Sequence, residues 1–510
     1  MPRPLPLLAA TALVPALLAG QRAPRAEGRP AAYTLVREAD LRRDVAELAS
    51  PAMRGREGGT LDELRASMWV AERYRRIGLV PMGDDGTYFQ WFDIVRTRVS
   101  PTASRIVVDG RALVPFAEVI PLAVVPAEAS GPVVWVADAR DTTVDVRGRI
   151  VATQLLAPAP NAIRANSYTY ASRYADAAIA GTALRFQRRG AAAVLLVASA
   201  PVDSAFAVAA ASRERGQFDV DRAVPRAAGG SDRVAPPPAL GQGPVPTFLV
   251  RAAMAPSLAR GGATAELSVR LERFTYPSVN VIGGVRGTDP RLRDEWVVFS
   301  SHQDANGVRP TLEGDSVHAG ADDNATVTAA GLAAARAFVK QPGKRSVLFI
   351  NHGSEERGLL GSRHHAMHPV VPLERLVAVI NGDMIGRNHP DTATLLGAQP
   401  PHLNSSEFTK MALVANERSA RFALDTLWDR PTHPEGWYFR SDHLPYARRG
   451  VPALMWSTNL HDDYHTPRDN PANIDYAKLV RMAQWMYLTG WYVATAPSRP
   501  RVDPGVRLER

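Results

Sequence analysis

Three short apolar runs, each followed by side chains that bind divalent cations well, constrain the fold of this chain most strongly. The runs cover residues 296–301, 346–351 and 376–381, and each has the length and composition of a buried strand. Ligands in open α/β sheets gather at the carboxyl ends of the strands. The pattern therefore predicts an α/β sheet whose strand ends share one site.

Polar residues occupy the end of each run and two further loops. One loop is a Gly-rich turn before an Ala-rich segment at 325–339 that suits a helix, and the other follows a fourth apolar run at 453–457. The candidate ligands in these places are His302, Asp304, the acidic pair Asp322-Asp323, Glu355, Glu356, Asp383 and His465.

Imidazole nitrogens and carboxylate oxygens without thiolates suit Zn²⁺, Mn²⁺ or Co²⁺ in a hydrolytic site. One carboxylate can bridge two ions, so the set allows two metals. A single His-x-Asp or a single glutamate doublet would be weak evidence, since buried histidines commonly satisfy a hydrogen bond and glutamates usually face solvent. The prediction of a metal site therefore depends on all of these motifs occurring together in this order.

These motifs resemble the di-zinc, or co-catalytic, aminopeptidase family of metallopeptidases. The matching stretches are His302-x-Asp304, Gly-x-x-Asp323-Asn324, Glu355-Glu356-x-Gly-Leu-x-Gly-Ser, Asp383-Met-Ile-Gly and Asp463-Tyr-His465-Thr-Pro. Ala305 and the pair Asn351-His352 depart from the commonest family wording, and neither change touches a candidate ligand. The resemblance implies a zinc-exopeptidase-like mixed β-sheet flanked by helices.

The resemblance also implies a role for each residue and two Zn²⁺ ions per chain. One ion would be held by His302 and Asp383, the other by Glu356 and His465, with Asp323 bridging them. Among the rest, Glu355 would be the general base, Asp304 would orient His302, and Tyr464 would help to hold the developing oxyanion. The bond between Asp323 and Asn324 would be cis.

The function that follows is a secreted metal-dependent exopeptidase, an aminopeptidase that hydrolyses N-terminal peptide bonds with a metal-bound hydroxide. Three alternatives stay open: a carboxypeptidase or dipeptidase of the same family, a glutaminyl cyclase-like transferase with a single zinc, and a non-catalytic receptor-like protein. A serine hydrolase built on Ser441, Asp442 and His443 is excluded, because adjacent residues cannot form the triad geometry and the chain has no Gly-x-Ser-x-Gly elbow.

The charge and the cysteine content of the chain limit the kinds of partner and chemistry that we expect. The chain of 510 residues has a formal net charge of +9, which comes almost wholly from arginines scattered among acidic residues. We expect a peptide substrate and no nucleic-acid partner. There is no cysteine, so disulfides and thiolate chemistry are absent.

The N-terminus resembles a secretory signal peptide over residues 1–23. Arg3 precedes an apolar run at 5–18, and small residues follow it. The run is shorter than the roughly 20 residues of a spanning helix, so we expect no stable membrane insertion. The predicted location is exported, either periplasmic or extracellular.

We predict a catalytic domain in two parts, at 31–99 and 273–495, followed by a tail at 496–510. The first part contains an amphipathic helix at 60–77, with a capping box of Thr60 and Glu63 and an inward face that includes Leu61 and Met68. Residues 100–272 form a small, mainly β insert that resembles a protease-associated domain, and residues 201–245 are expected to form a loose surface excursion within it.

Overall fold

The computed structural model describes residues 28–155, 179–220, 245–311 and 314–508, so the predicted signal peptide lies outside the described residues. The strands, in chain order, are β1 (Val80–Pro81), β2 (Phe89–Val99), β3 (Arg105–Val108), β4 (Arg111–Leu113), β5 (Val119–Pro121), β6 (Ala127–Val136), β7 (Ile150–Gln154), β8 (Ala193–Val197), β9 (Gln217–Val220), β10 (Thr247–Val250), β11 (Thr264–Val269), β12 (Leu271–Val285), β13 (Trp296–His302), β14 (Gly307–Val308), β15 (Val317–His318), β16 (Ser346–His352), β17 (Leu376–Gly382), β18 (Thr392–Leu396), β19 (Ala423–Leu424) and β20 (Ala453–Ser457). The α-helices are α1 (Glu38–Leu48), α2 (Leu61–Ile77), α3 (Ala200–Ser204), α4 (Phe206–Glu214), α5 (Ala255–Ala259), α6 (Thr326–Lys340), α7 (Leu360–Met367), α8 (Ser406–Arg418), α9 (His443–Arg448) and α10 (Tyr476–Thr495), and residues 179–187 are also helical.

The main sheet is mixed, with strand order β19-β18-β20-β17-β13-β16-β12-β2-β9, and β1 pairs with β12. Its centre is parallel, because β13 runs parallel to both β16 and β17, and β17 runs parallel to β20. All residues of these four strands are buried. Their apolar runs are thus the central strands of a two-faced core, which confirms the predicted α/β fold.

The chain between β2 and β12 forms a second sheet. Its order is β4-β3-β11-β6-β7-β8-β10-β5. The four neighbouring strands β6, β7, β8 and β10 are parallel, and the pairs outside them are antiparallel. The main-sheet strands β2 and β12 enter and leave it as a long antiparallel pair from Phe89–Val281 to Val99–Leu271. The inserted region therefore has its own sheet, and the antiparallel pair of β2 and β12 connects it to the main sheet.

Residues 200–220 are regular, contrary to the expected loose excursion. They form α3, α4 and β9, and β9 pairs antiparallel with β2 at the edge of the main sheet. The reason is local burial: Phe206 and Val220 are 0% and 2% exposed, so the segment has apolar anchors that its Ala-rich composition concealed. The remainder of that prediction, at 221–244, lies outside the described residues.

Helix α2 has the predicted extent, and Tyr74 of its predicted inward face is buried, but Leu61 and Met68 of that face are not. Leu61 and Met68 are 79% and 59% exposed, while the buried residues are Glu63, Ala66, Ser67, Val70, Ala71 and Tyr74. Small side chains let the helix pack close to β12, where a side chain at Gly283 would collide with Tyr74 and Leu79. The capping box is also altered, because Glu63 accepts the N–H of Gly59 and not that of Thr60.

Helices α6 and α10 cover one face of the main sheet. Phe338 of α6 contacts Phe299 and Phe349 of the sheet and Tyr487 of α10 in a cluster of rings. Asp475 caps α10 through the N–H of Lys478, as its sequence predicts. In the part of the chain that the structure describes, no helix combines the length and apolar character needed to cross a bilayer.

Candidate metal centre

The predicted site residues lie together where the parallel strands end. His302 is the last residue of β13 and pairs in register with His352 at the end of β16, and Asp383 directly follows β17. Loops from three other parts of the chain reach the same edge. The residues brought together are His302, Asp304, Asp323, Glu355, Glu356, Asp383, Tyr464 and His465.

Asp323 lies between two histidines. Its Oδ1 is 3.3 Å from His302 Nε2, and its Oδ2 is 3.2 Å from His465 Nε2. The contacts divide into two groups whose donor atoms lie within 4.8 Å of one another: His302, Glu355 and Asp383 form one, and Asp323, Glu356 and His465 form the other. One carboxylate therefore faces both halves of the centre.

The donor set fits a pair of cations. His302 Nε2 is buried and has no hydrogen-bond partner among the described residues, although oxygens of Asp323, Glu355 and Asp383 lie 3.3, 3.8 and 4.0 Å away. Three carboxylates would repel one another around this nitrogen unless a positive charge lay among them. Nitrogen and oxygen donors without sulfur match a hydrolytic zinc site.

The histidines respond to these carboxylates. Burial alone would lower the pKa of His465, but Glu356 and Asp323 outweigh it and raise the pKa to about 9. Burial is likewise outweighed at Asp323, where the two histidines hold the carboxyl pKa well below its usual range. The two histidines and the carboxylates thus shift each other's pKa values in the directions expected for closely placed opposite charges.

The loop that carries Asp323 is held by Asp469. One Asp469 oxygen accepts the N–H of Asp322 at 2.8 Å and the other accepts the N–H of Asp323 at 3.1 Å. The Asp323–Asn324 peptide bond is cis, as the resemblance implied. Because Asp469 lies four residues after His465, one loop both supplies a candidate ligand and orients another.

Arg56 ties the N-terminal segment to the centre. Its guanidinium is fully buried and donates to the backbone carbonyls of Leu48, Gln303, Ala319 and Gly320. Burial lowers its pKa to about 10, so it stays charged at neutral pH. The arginine therefore fixes the loops on both sides of the site.

Asp304 contacts the neighbouring turn as well as His302. The ring nitrogen Nδ1 of His302 lies 3.2 Å from the backbone oxygen of Asp304 and 3.7 Å from its carboxylate. The two carboxylate oxygens accept the N–H groups of Glu355 and Glu356. Asp304 is thus placed to orient the histidine and the glutamate doublet together.

Glu63 of α2 braces the same turn from the other side. Its carboxylate accepts hydrogen bonds from the N–H of Ser354 and the hydroxyl of Ser278. Burial raises its pKa to about 8, and Asp304 adds to the shift. Sequence analysis placed Glu63 only in a capping box, because its burial follows from the packing of α2 against β12.

Three carboxyls, those of Glu355, Asp383 and Asp442, crowd the first half of the centre. Burial raises the pKa of Glu355 and of Asp383 well above the ordinary value, and like charges nearby raise both further. Asp442 is also fully buried, and its pKa is raised by burial to about 7. Burial thus favours the protonated form of each of these three carboxyls relative to a carboxyl in water.

Tyr464 lies over the second half of the centre. Its ring stacks on His465 with centroids 3.7 Å apart, and its hydroxyl oxygen accepts a hydrogen bond from Arg440 at 3.0 Å. Since Arg440 donates, the hydroxyl hydrogen remains available to donate elsewhere. Arg440 was not foreseen from the sequence, because it lies 24 residues away from its partner.

The Ser441-Asp442-His443 stretch does not form a triad. Ser441 Oγ accepts a hydrogen bond from Asn381 of β17, while both ring nitrogens of His443 are buried and lack hydrogen-bond partners among the described residues. Nearby, Arg387 pairs with Asp463 at 2.6 Å. These residues brace the loops around the centre.

Comparisons with known proteins agree with this geometry. Residues 280–489 match the model of Peptidase family M28. Aminopeptidase YwaD of Bacillus subtilis is 25% identical over 221 residues, which are 42% of this chain and 44% of that protein. A probable zinc metalloprotease of Pyrenophora tritici-repentis is 24% identical over 267 residues, covering 45% and 60% respectively. The match thus spans about half the length of these curated relatives.

Solved structures show the same fold over most of the chain. A zinc aminopeptidase from Bacillus subtilis superposes with a TM-score of 0.54 and 18% identity over 92% of this chain and 99% of its own. An aminopeptidase from Aneurinibacillus sp. strain AM-1 superposes with a TM-score of 0.53 and 18% identity over 92% and 97%.

The sheet and the donor set together define an α/β domain with a candidate metal centre at its strand ends. Its central strands, both candidate histidines and the carboxylate between them all fall within residues 280–489, the segment that matches Peptidase family M28.

Proposed function

We propose that this chain is a di-zinc aminopeptidase that removes N-terminal residues from peptides. The observation that carries the proposal is the position of Asp323, whose two oxygens face His302 and His465 at nearly equal distances. His302 and Asp383 would hold one zinc, Glu356 and His465 the other, and Asp323 would contact both. Bound zinc would polarise the scissile carbonyl and lower the pKa of water to roughly 7.

Glu355 is the proposed general base. It lies beside the proposed ligand Glu356, its backbone N–H is fixed by Asp304, and burial raises the pKa of its carboxyl above the ordinary value. It would take a proton from the attacking water and pass it to the leaving amine, which typically contributes 10² to 10⁴ in rate.

Tyr464 would donate its hydroxyl hydrogen to the oxyanion of the tetrahedral intermediate. Arg440, held by Glu435 at 2.8 Å, fixes the hydroxyl and adds positive charge behind it. A donor prepared in this way stabilises charge where it develops. The free amine of the substrate would be held by carboxylates near the metals.

One experiment separates the rival activities. The purified chain is assayed with aminoacyl nitroanilides and with N-acylated dipeptides that have a free C-terminus, and its zinc is counted by mass spectrometry. Turnover of nitroanilides with about two zinc ions per chain supports the aminopeptidase. Turnover of the blocked dipeptides alone would indicate a carboxypeptidase, and one zinc with cyclisation of N-terminal glutamine would indicate the transferase.

We also propose that the protein is exported to the periplasm or outside the cell. The apolar run at 5–18 and the small residues after it support this. N-terminal sequencing of the protein recovered from fractionated cells tests it, since an intact residue 1 in the cytoplasmic fraction would refute export.

A further inference from the structure

A cavity of about 1120 Å³ lies beside Glu356 and His465 and is strongly basic. The two carboxylates that line it are Glu356, already a candidate metal ligand, and Asp219, which pairs with Arg363. The arginines that line it are Arg215, Arg273, Arg309, Arg357 and Arg363.

Three of these arginines come from distant parts of the chain. Arg357 directly follows the glutamate doublet, Arg309 follows β14, and Arg215 lies between α4 and β9. The backbone at Arg215 is fixed because its carbonyl accepts a hydrogen bond from Arg96. Gly216 then turns with a φ of +76° in a position where a side chain would collide with Thr97.

Among the described residues, the carboxylates near these arginines are fewer than the arginines. Glu57 is shared by Arg215 and Arg357, and within the described residues Arg309 has no carboxylate at ion-pair distance. Arg309 instead donates through Nε to the backbone oxygen of Asn306. The described lining of the cavity therefore carries an excess of positive charge on the side nearest the metal centre.

Two of the guanidinium nitrogens also lack acceptors. Arg215 Nη1 and Arg357 Nε are buried without a hydrogen-bond partner among the described residues. Burial, and then repulsion from neighbouring arginines, lowers the pKa of Arg215 to about 10 and that of Arg309 to about 9. An anion in the cavity would satisfy these donors and relieve the repulsion.

We propose that Arg215, Arg309 and Arg357 bind a carboxylate of the substrate peptide and make the enzyme selective for peptides that carry one near the scissile bond. This rests on the proposed peptidase function. A guanidinium fork matches a carboxylate in shape and charge, and the cavity shares Glu356 and His465 with the metal centre, so an occupant reaches the reacting bond. The carboxylate has two possible sources, an acidic side chain or the free C-terminus.

Three matched pairs of peptides distinguish these sources with the zinc-loaded full chain. Glu-Leu-amide is compared with Gln-Leu-amide, Leu-Glu-amide with Leu-Gln-amide, and Leu-Leu with Leu-Leu-amide. We expect the carboxylate member of at least one pair to have a kcat/KM about 10- to 100-fold higher, since hydrogen bonds to charged groups have this strength. The pair that shows the preference identifies the source.

Variants test whether the arginines cause the preference. Arg309→Gln and Arg215→Gln should each reduce the ratio of kcat/KM within that pair by about tenfold or more. Arg215→Lys keeps the charge but not the fork and should retain part of the ratio. The control is Arg286→Gln, which removes an exposed arginine paired with Asp294 outside the cavity and should leave the ratio unchanged.

The outcomes separate this inference from the proposed function. Hydrolysis of the neutral amides with no preference in any pair would overturn the carboxylate site and leave the peptidase intact. If no peptide is hydrolysed, the proposed function fails, and calorimetric titration with glutarate then decides the site alone. Glutarate binding that is lost in Arg309→Gln supports it, and the absence of binding to the unaltered chain refutes it.

Discussion

Asp304 accepts the backbone N–H of Glu355 at 3.0 Å, so the residue that lies beside His302 also fixes the proposed base. Its second oxygen accepts the N–H of Glu356 at 3.2 Å. The carboxylate of Asp304 therefore contacts His302 in one half of the centre and the backbone of Glu356 in the other. It also holds the backbone of Glu355, the proposed base. The arrangement gives the His-x-Asp motif and the glutamate doublet a direct contact, although Asp304 and Glu355 lie 51 residues apart in sequence.

Asp304→Asn should reduce activity by about 10- to 100-fold, the usual effect of removing a group that orients metal ligands. The amide offers one acceptor where two N–H groups require two, so one of them loses its partner. The measurement is kcat/KM together with zinc content. Asp315→Asn, at an exposed acidic residue, is the control, and an Asp304→Asn enzyme with unchanged kinetics would contradict the linkage.

Glu355→Gln should keep both zinc ions while kcat falls by about 10² to 10⁴. The change preserves shape but removes the group that accepts a proton. Because Glu355 lies within 4.8 Å of the donor atoms of His302 and Asp383, zinc analysis is the decisive companion measurement. Loss of one zinc would make Glu355 a ligand, and wild-type turnover would remove it from the mechanism.

Asp323→Ala should lower zinc occupancy at both positions, from about two ions per chain to fewer than one. The reason is that its two oxygens face histidines from different halves of the centre. Asp383→Ala is the matched comparison and should affect mainly one position. Equal losses in the two variants would show that Asp323 does not bridge.

His365 should make the fold sensitive to acid. Burial lowers its pKa to about 3, and its Nδ1 lies 2.7 Å from the hydroxyl of Tyr446. The unfolded chain binds a proton below about pH 6.5 while the folded chain does not, so stability is present above that pH and falls as the pH decreases toward 3.

Between pH 6.5 and 5 this one group should cost about 2 kcal/mol of unfolding free energy. Urea unfolding at the two pH values measures the loss, and His365→Gln should reduce it. The control is His389→Gln in an exposed loop, which should leave the pH dependence of the parent chain intact. The same slope in all three proteins would refute the assignment.

The sequence was sufficient for the central strands and the loops that follow them. Apolar runs of strand length are buried on both faces of a parallel sheet, so their ends and the polar residues after them could be assigned without coordinates. The predicted strand at 296–301 differs from β13 by one residue. The order of the motifs along the chain predicted the candidate ligands, because their spacing reflects how the strands of this fold are connected.

Features that depend on contacts between distant segments could not be predicted. Helix α2 has large apolar residues at helical spacing, yet its buried face consists mainly of small residues and Glu63. The helix packs so close to β12 that small side chains fit between them better than large apolar ones. Arg56 and Asp469 act through backbone groups far away in sequence, which no local pattern indicates. The arginines of the cavity looked scattered because they come from four separate segments of the chain.

The pairing of β9 with β2 has a consequence for how the chain can be divided. The inserted region leaves its own sheet, contributes a strand to the edge of the main one, and carries Arg215 to the wall of the cavity beside Glu356. A chimaera that exchanges this region between related proteins at the ends of β2 and β12 would therefore also exchange part of the wall of that cavity. The inserted region is continuous in sequence, but its strand β9 and Arg215 are part of the main sheet's edge and of the cavity beside the metal centre.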